Sequence, residues 1–152
     1  MEDLILDFNP HGLLVGERHV MSKHQEMIMK KRYGPETAAS YPATGPDRPG
    51  YAEYAAALAE GCSGRDRLRI LDLGCGAGRY FHCLQNVALL VGIDISPDML
   101  LVADRVCREL ATLTGTLCVM LEADLQSVQF TPNSFDFIYS IGVLGDTAVQ
   151  IS

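Results

Sequence analysis

The sequence predicts an α/β fold: an open, mainly parallel sheet with helices on both faces, preceded by a helical N-terminal segment. Three observations carry this. Downstream of Arg65, short apolar runs alternate with helix-length amphipathic stretches, as expected of β-α-β crossovers onto a parallel sheet. Four of those runs end on acids, glycines or a serine, the residue types found where an open α/β sheet faces a ligand. The 152 residues, 48% hydrophobic and 20% charged, suffice for the core of one domain.

Taken in order, residues 17–32 place Val20, Met21, Met27 and Ile28 on one helical face together with His24. Lys30, Lys31 and Arg32 end this segment, where the helix dipole favours cations, and Gly34-Pro35 stops it. The methionine-bearing stripe is expected to pack into the core rather than line a ligand pocket. Residues 35–50, PETAASYPATGPDRPG, read as a loop. Residues 51–60 form an alanine-rich helix closed by Gly61. There follow a strand at 68–73, a helix at 78–86, a strand at 89–94, a helix at 97–112, a strand at 116–122 and a fourth strand within FDFIYSIGV, 135–143. The chain divides into an N-terminal helical segment and loop, residues 1–64, expected on the substrate side or as a lid, and a ligand-binding domain, residues 65–152.

The formal charge of −7 argues against a nucleic-acid or anionic-membrane surface, which gains from clustered Lys and Arg. No apolar run approaches membrane-spanning length, so a soluble, cytoplasmic protein is expected. Cys62, Cys75, Cys83, Cys107 and Cys118 form no metal-binding pattern. They are expected to be reduced thiols serving as small core residues, and no metal is expected.

The chemistry concentrates at the strand ends. The first gives Asp72 and the turn Gly74, Cys75, Gly76, Ala77, Gly78. Glycine permits a tight turn and close backbone approach, and the unpaired N–H groups of the following helix are expected to receive an anionic group of the ligand. The second strand ends in VGIDIS, placing Asp94 twenty positions beyond Gly74, where a carboxylate accepts both hydroxyls of a ribose. The third ends in LEADL, so that Asp124 can accept from an exocyclic adenine amine, with Leu125 and Ile95 against the base. The fourth ends at Ser140 and Ile141, next to the point where strand order should reverse.

A dinucleotide-binding turn shares the glycines and the ribose acid but wants a further glycine or alanine where this chain has Arg79. Asp72 would repel a pyrophosphate, yet it suits a ligand bearing an ammonium group. A nucleoside with both carboxylate and ammonium is S-adenosylmethionine. A nicotinamide-dependent oxidoreductase is the weaker alternative.

At this point ILDLGCGAGRY resembles the first motif of class I S-adenosylmethionine-dependent methyltransferases, VGIDIS their second, LEADL their third and FTPNSFDFIYSIGVLGD their fourth. The resemblance covers residues 65–146 in order and spacing. It implies a Rossmann-like fold in which Asp72 and Gly74 hold the methionine end, Asp94 the ribose, and Asp124 with Leu125 the adenine. The expected cofactor-binding set is Asp72, Gly74, Cys75, Gly76, Gly78, Asp94, Ile95, Asp124, Leu125 and Ser140.

Methyl transfer from a sulfonium rests on alignment and desolvation, so no catalytic residue is assigned. His11, His19 and His24 are conceivable bases without a motif, and His82 is expected to be structural. The fourth motif lacks the Asp/Asn-Pro-Pro-Tyr pattern of relatives that methylate planar amines, and PNSFDFIYS is more like the branch acting on small molecules. The expected partner is therefore a small-molecule acceptor, with no nucleic acid and no membrane.

Relatives continue past the fourth strand with a fifth strand and a terminal hairpin. Because the sequence stops at Ser152, it is expected to be truncated, leaving an apolar sheet edge for a homodimer mate or a partner chain to cover. The alternative function is a non-catalytic S-adenosylmethionine-binding or structural fragment.

Overall fold

A computed structural model describes residues 5–6, 13–15, 23–41 and 49–142. The element order is β1 (Ile5–Leu6), β2 (Leu13–Val15), α1 (Lys23–Arg32), α2 (Pro35–Ser40), α3 (Tyr51–Cys62), β3 (Leu68–Leu73), β4 (Val87–Asp94), α4 (Pro97–Thr114), β5 (Leu117–Glu122), β6 (Val128–Phe130) and β7 (Phe137–Tyr139).

The main sheet has the order β5-β4-β3-β7, with all three pairings parallel. Strand order therefore reverses between β3 and β7, which opens a crevice at their carboxyl ends. Ile70, Leu90, Cys107 and Leu110 belong to a core on one face, to which α3 adds Leu58 and Cys62. The opposite face, Leu71, Leu89, Val91 and Ile93, is covered by Val128, Phe130 and Phe135. Among the described residues, α3 and α4 thus share one face, and β6 and its flanks occupy the face where further helices were expected.

Helix α4 illustrates how sequence sets an element. Ser96 is its N-cap, accepting from the Met99 amide at 3.2 Å; Pro97 starts the first turn; and Gly115 ends the helix in the left-handed region. Its apolar stripe buries Met99, Leu100, Ala103, Val106, Cys107 and Leu110.

Several expectations are corrected. Residues 78–86 do not form a helix: turns lead into a single 3-10 turn, Phe81–Cys83. The cause lies in the backbone, for Gly78 takes φ +74° to clear the Phe81 ring and Asn86 takes φ +57° to enter β4. Conversely, residues 35–40, read as loop, form α2, because Pro35 begins a helix well. Gly61 does not close α3 but lies inside it. A Cβ there would come within 2.7 Å of the Phe137 ring, so this glycine lets α3 approach β7 closely. Met27 and Ile28 are exposed, and α1 has no buried residue, so the expected stripe is not core; Val20 and Met21 lie outside the described residues.

The fourth strand is confined to Phe137–Tyr139, with Ile138 exposed. A second sheet, β1-β2-β6, antiparallel throughout, was not anticipated. Cys107 and Cys118 are disulfide-bonded rather than reduced, since β5 returns alongside α4 and brings their Cα atoms to 6.0 Å. Cys62, Cys75 and Cys83 are free. No described helix is long and apolar enough to cross a membrane, and no group of potential metal ligands occurs among the described residues.

Candidate functional site

A cavity of about 670 Å³ opens at the carboxyl ends of β3, β4 and β5 and beside β7, within the size range of small-molecule sites. Of the ten residues expected from sequence, it brings together eight: Asp72, Gly74, Cys75, Gly76, Asp94, Ile95, Asp124 and Leu125. Gly78 and Ser140 are not on its wall. Gly78 accommodates the Phe81 ring beneath the turn, and the Ser140 hydroxyl donates to the Leu73 carbonyl at 2.8 Å, tying the end of β7 to that of β3.

The turn after β3 is bound to the end of β4. The amides of Gly74 and Cys75 both donate to the Ile93 carbonyl, at 2.8 and 2.9 Å, and that of Gly78 donates to the Cys75 carbonyl at 3.0 Å. Cys75 is buried, and burial pushes its thiol well above the usual range, so it is an inert wall residue. Its sulfur occupies the space that a side chain at position 92 would need; a Cβ on Gly92 would lie 2.9 Å from it.

Asp94 holds both ends of this arrangement. One carboxylate oxygen accepts from the Gly76 amide at 2.8 Å and the other from the Ser96 amide at 2.9 Å. A carboxylate offers about four lone-pair directions, so Asp94 keeps capacity to accept from a hydroxyl of a ligand. Burial pushes the Asp94 carboxyl up, and the backbone amides hold it down against that. Asp124 accepts from the Gln126 amide at 2.9 Å, fixing the turn that presents Leu125.

Asp72 is the deepest acid, 4% exposed and opposite Gly92 and Tyr139 in the sheet. Burial raises its carboxyl to about 7. No ion pair to it occurs among the described residues. Tyr139 faces it, but its buried hydroxyl completes no hydrogen bond of good geometry.

Sequence reasoning missed the residues that roof this cavity. Met29, Tyr33 and Tyr41, from α1 and the end of α2, line it together with Tyr54, Arg79 and Tyr80. The roof is held down at α4, where the Ser96 hydroxyl donates to the Tyr33 carbonyl at 2.5 Å and where Ala38, Met99 and Ala77 pack as one cluster. Lys30 adds an ion pair with Glu122, 2.9 Å apart, at the end of β5. Tyr80 stacks on Tyr51 at 5.2 Å and meets Tyr54 edge-on at 6.1 Å. Only the aromatic spacing could have signalled this wall, and it becomes legible once α2 is known to be a helix. His24 and His82 are exposed and away from the cavity lining; His11 and His19 lie outside the described residues.

A parallel sheet with a strand-order reversal and a glycine turn between a buried acid, Asp72, and a partly buried one, Asp94, defines a Rossmann-like domain of the class I methyltransferase type, whose methyl donor is S-adenosylmethionine. The sequence profile of the family described as "Methyltransferase domain" matches residues 71–150, more than half of the chain, and the chain belongs to that family. Among solved structures, the cyclopropane synthase MmaA2 from Mycobacterium tuberculosis superposes with a TM-score of 0.51 at 20% identity, over 62% of this chain and 32% of that one, and shares the fold. The magnesium protoporphyrin IX methyltransferase (ChlM) from Synechocystis, solved with bound SAH, gives 0.48 at 22% identity, over 85% of this chain and 50% of that one. A segment of 47 residues, 29% of this chain, is 47% identical to the "Uncharacterized phycocyanin operon protein W" of Pseudanabaena tenuis, covering 44% of that protein. The chain spans one third to one half of the length of these relatives.

Proposed function

We propose that the protein transfers a methyl group from S-adenosylmethionine to a small-molecule acceptor by in-line displacement. The observation that carries this is the convergence in one cavity of Asp72, Asp94 and Asp124 around the glycine turn. The cavity fits the cofactor on its own terms: Asp72 is a buried carboxylate without a cation, which an ammonium group would satisfy. Asp94 would hold the ribose hydroxyls, and Ile95 and Leu125 would enclose the base beside Asp124.

S-adenosylmethionine supplies a methyl group already activated on a sulfonium, so the chain's contribution is to orient the two reactants and exclude water. The sheet ends and the bound-down turn fix one reactant. Tyr33, Tyr41 and Tyr54 form an aromatic approach for the other. An acidic chain and a cavity of this size support a small organic acceptor over a nucleic acid. The edge of β7, with Ile138 exposed, is where we expect a second copy or partner chain to pair.

Calorimetric titration with S-adenosylhomocysteine, with NADH in parallel, tests the reading. Saturable binding of S-adenosylhomocysteine alone is expected, and formation of S-adenosylhomocysteine in the presence of an acceptor would follow. A folded protein that binds NADH in its place, or neither compound, would overturn it.

A further inference from the structure

The expected site for an anionic group of the ligand was the start of a helix after the glycine turn. That helix is absent, and the amides of Gly74, Cys75, Gly76 and Gly78 already have partners within the chain. An anion in this cavity must be received by something else.

Two charged residues are buried among the described residues, Asp72 and Arg79, of opposite sign. Both line the same cavity, and no ion pair joins them. Arg79 is 5% exposed. Its guanidinium carbon lies 4.0 Å from the centre of the Tyr41 ring, and its buried Nε finds no hydrogen-bond acceptor. Contact with an aromatic face stabilises the charge but gives its N–H groups no acceptor. A buried Nε–H without an acceptor is costly until a ligand supplies one, and the planar fork of a guanidinium matches a carboxylate. The other arginine on the cavity wall, Arg32, is exposed.

We propose that Arg79 receives the carboxylate of the ligand's amino-acid end while Asp72 receives its ammonium, so that two buried, unjoined protein charges are matched by one zwitterion. This rests on the reading of S-adenosylmethionine as cofactor. In this chain, discrimination for the amino-acid tail then depends on the residue standing where a dinucleotide-binding turn would carry a small one.

The test compares S-adenosylhomocysteine with its decarboxylated analogue, the same thioether with an aminopropyl tail, and with 5′-methylthioadenosine, which has no tail. The wild-type protein is expected to favour S-adenosylhomocysteine over the decarboxylated analogue by ~10-fold or more. Arg79→Met should remove most of that preference by weakening S-adenosylhomocysteine while leaving the decarboxylated analogue within ~3-fold. Arg79→Lys, which keeps the charge and loses the fork, should retain part of the preference and serves if Arg79→Met does not fold. Equal wild-type affinity for the two tailed ligands, or equal loss of both in the variants, would overturn the assignment to Arg79 with the cofactor reading intact. A folded wild-type protein that binds none of the three nucleosides would overturn the cofactor reading and this inference with it.

Discussion

Asp72 makes the site sensitive to acidity. Its carboxyl sits at about 7 in the folded chain because burial disfavours the charge, against about 4 when unfolded. Below pH 4 both states are protonated; between 4 and 7 only the folded state keeps the proton, so stability falls as pH rises through that window and levels off above it. The ligand-free protein should lose a few kcal/mol between pH 4 and 7.5 on this account, and Asp72→Asn should flatten that difference in urea unfolding. S-adenosylhomocysteine should bind more tightly as pH rises from 5 to 7, since an ammonium needs the ionised acid. At Asp94, removal of the carboxylate by Asp94→Ala should weaken S-adenosylhomocysteine by about 1.5 to 3 kcal/mol; unchanged affinity in calorimetry would refute its role with the ribose. Both acids were legible in the sequence because each ends an apolar run at the right distance from the glycines. Arg79 was legible only as a departure from the dinucleotide pattern, since burial without a partner is a property of packing.

Neighbouring elements are joined by a few side chains whose loss is measurable. Gly92, in the middle of β4, leaves room for both the Cys75 sulfur and the Met120 thioether; a Cβ there would sit 2.9 Å from each. Gly92→Ala should therefore destabilise the fold by about 1 to 3 kcal/mol in denaturant unfolding, and displacement of Cys75 should weaken cofactor binding with it. At the other end of the sheet, Arg69 grips Asp136 through two charge-assisted bonds of 3.0 and 3.1 Å, linking β3 to the entry of β7. This pair holds the Asp136 carboxyl down to about 2. It is partly exposed, so Asp136→Asn should cost only about 1 kcal/mol near neutral pH. The difference from wild type should shrink as pH falls from 4 towards 2 and as salt rises. The strands β3, β4 and β5 were legible to within two residues because each is a short, mostly apolar run. The expected helix at 78–86 failed because its composition is helical but its glycine and asparagine take left-handed backbone angles. β6 has three residues and no pattern of its own; it is a strand because β2 pairs with it.

At the scale of the whole molecule, a parallel sheet with its ligand crevice at a reversal of strand order was readable from the alternation of elements alone. The second sheet was not, because it joins stretches far apart in the chain, and the disulfide was not, because the approach of Cys107 to Cys118 is set by how α4 packs beside β5. A chain beginning at Lys23 lacks β1 and β2 and leaves β6 unpaired on that side. It should retain the described cavity residues, all of which lie at or beyond Met29, yet unfold at lower denaturant and aggregate more readily, as circular dichroism and light scattering would show. The same pairing also orders events in time. Leu13 is partnered by Phe130, with most of the chain between them. During synthesis the first strands emerge long before the strand they need, and they must wait through translation of the entire glycine-turn region. Closing so long a loop is slow, so sealing of the second sheet is expected as a late folding step, after the parallel sheet has assembled beneath it.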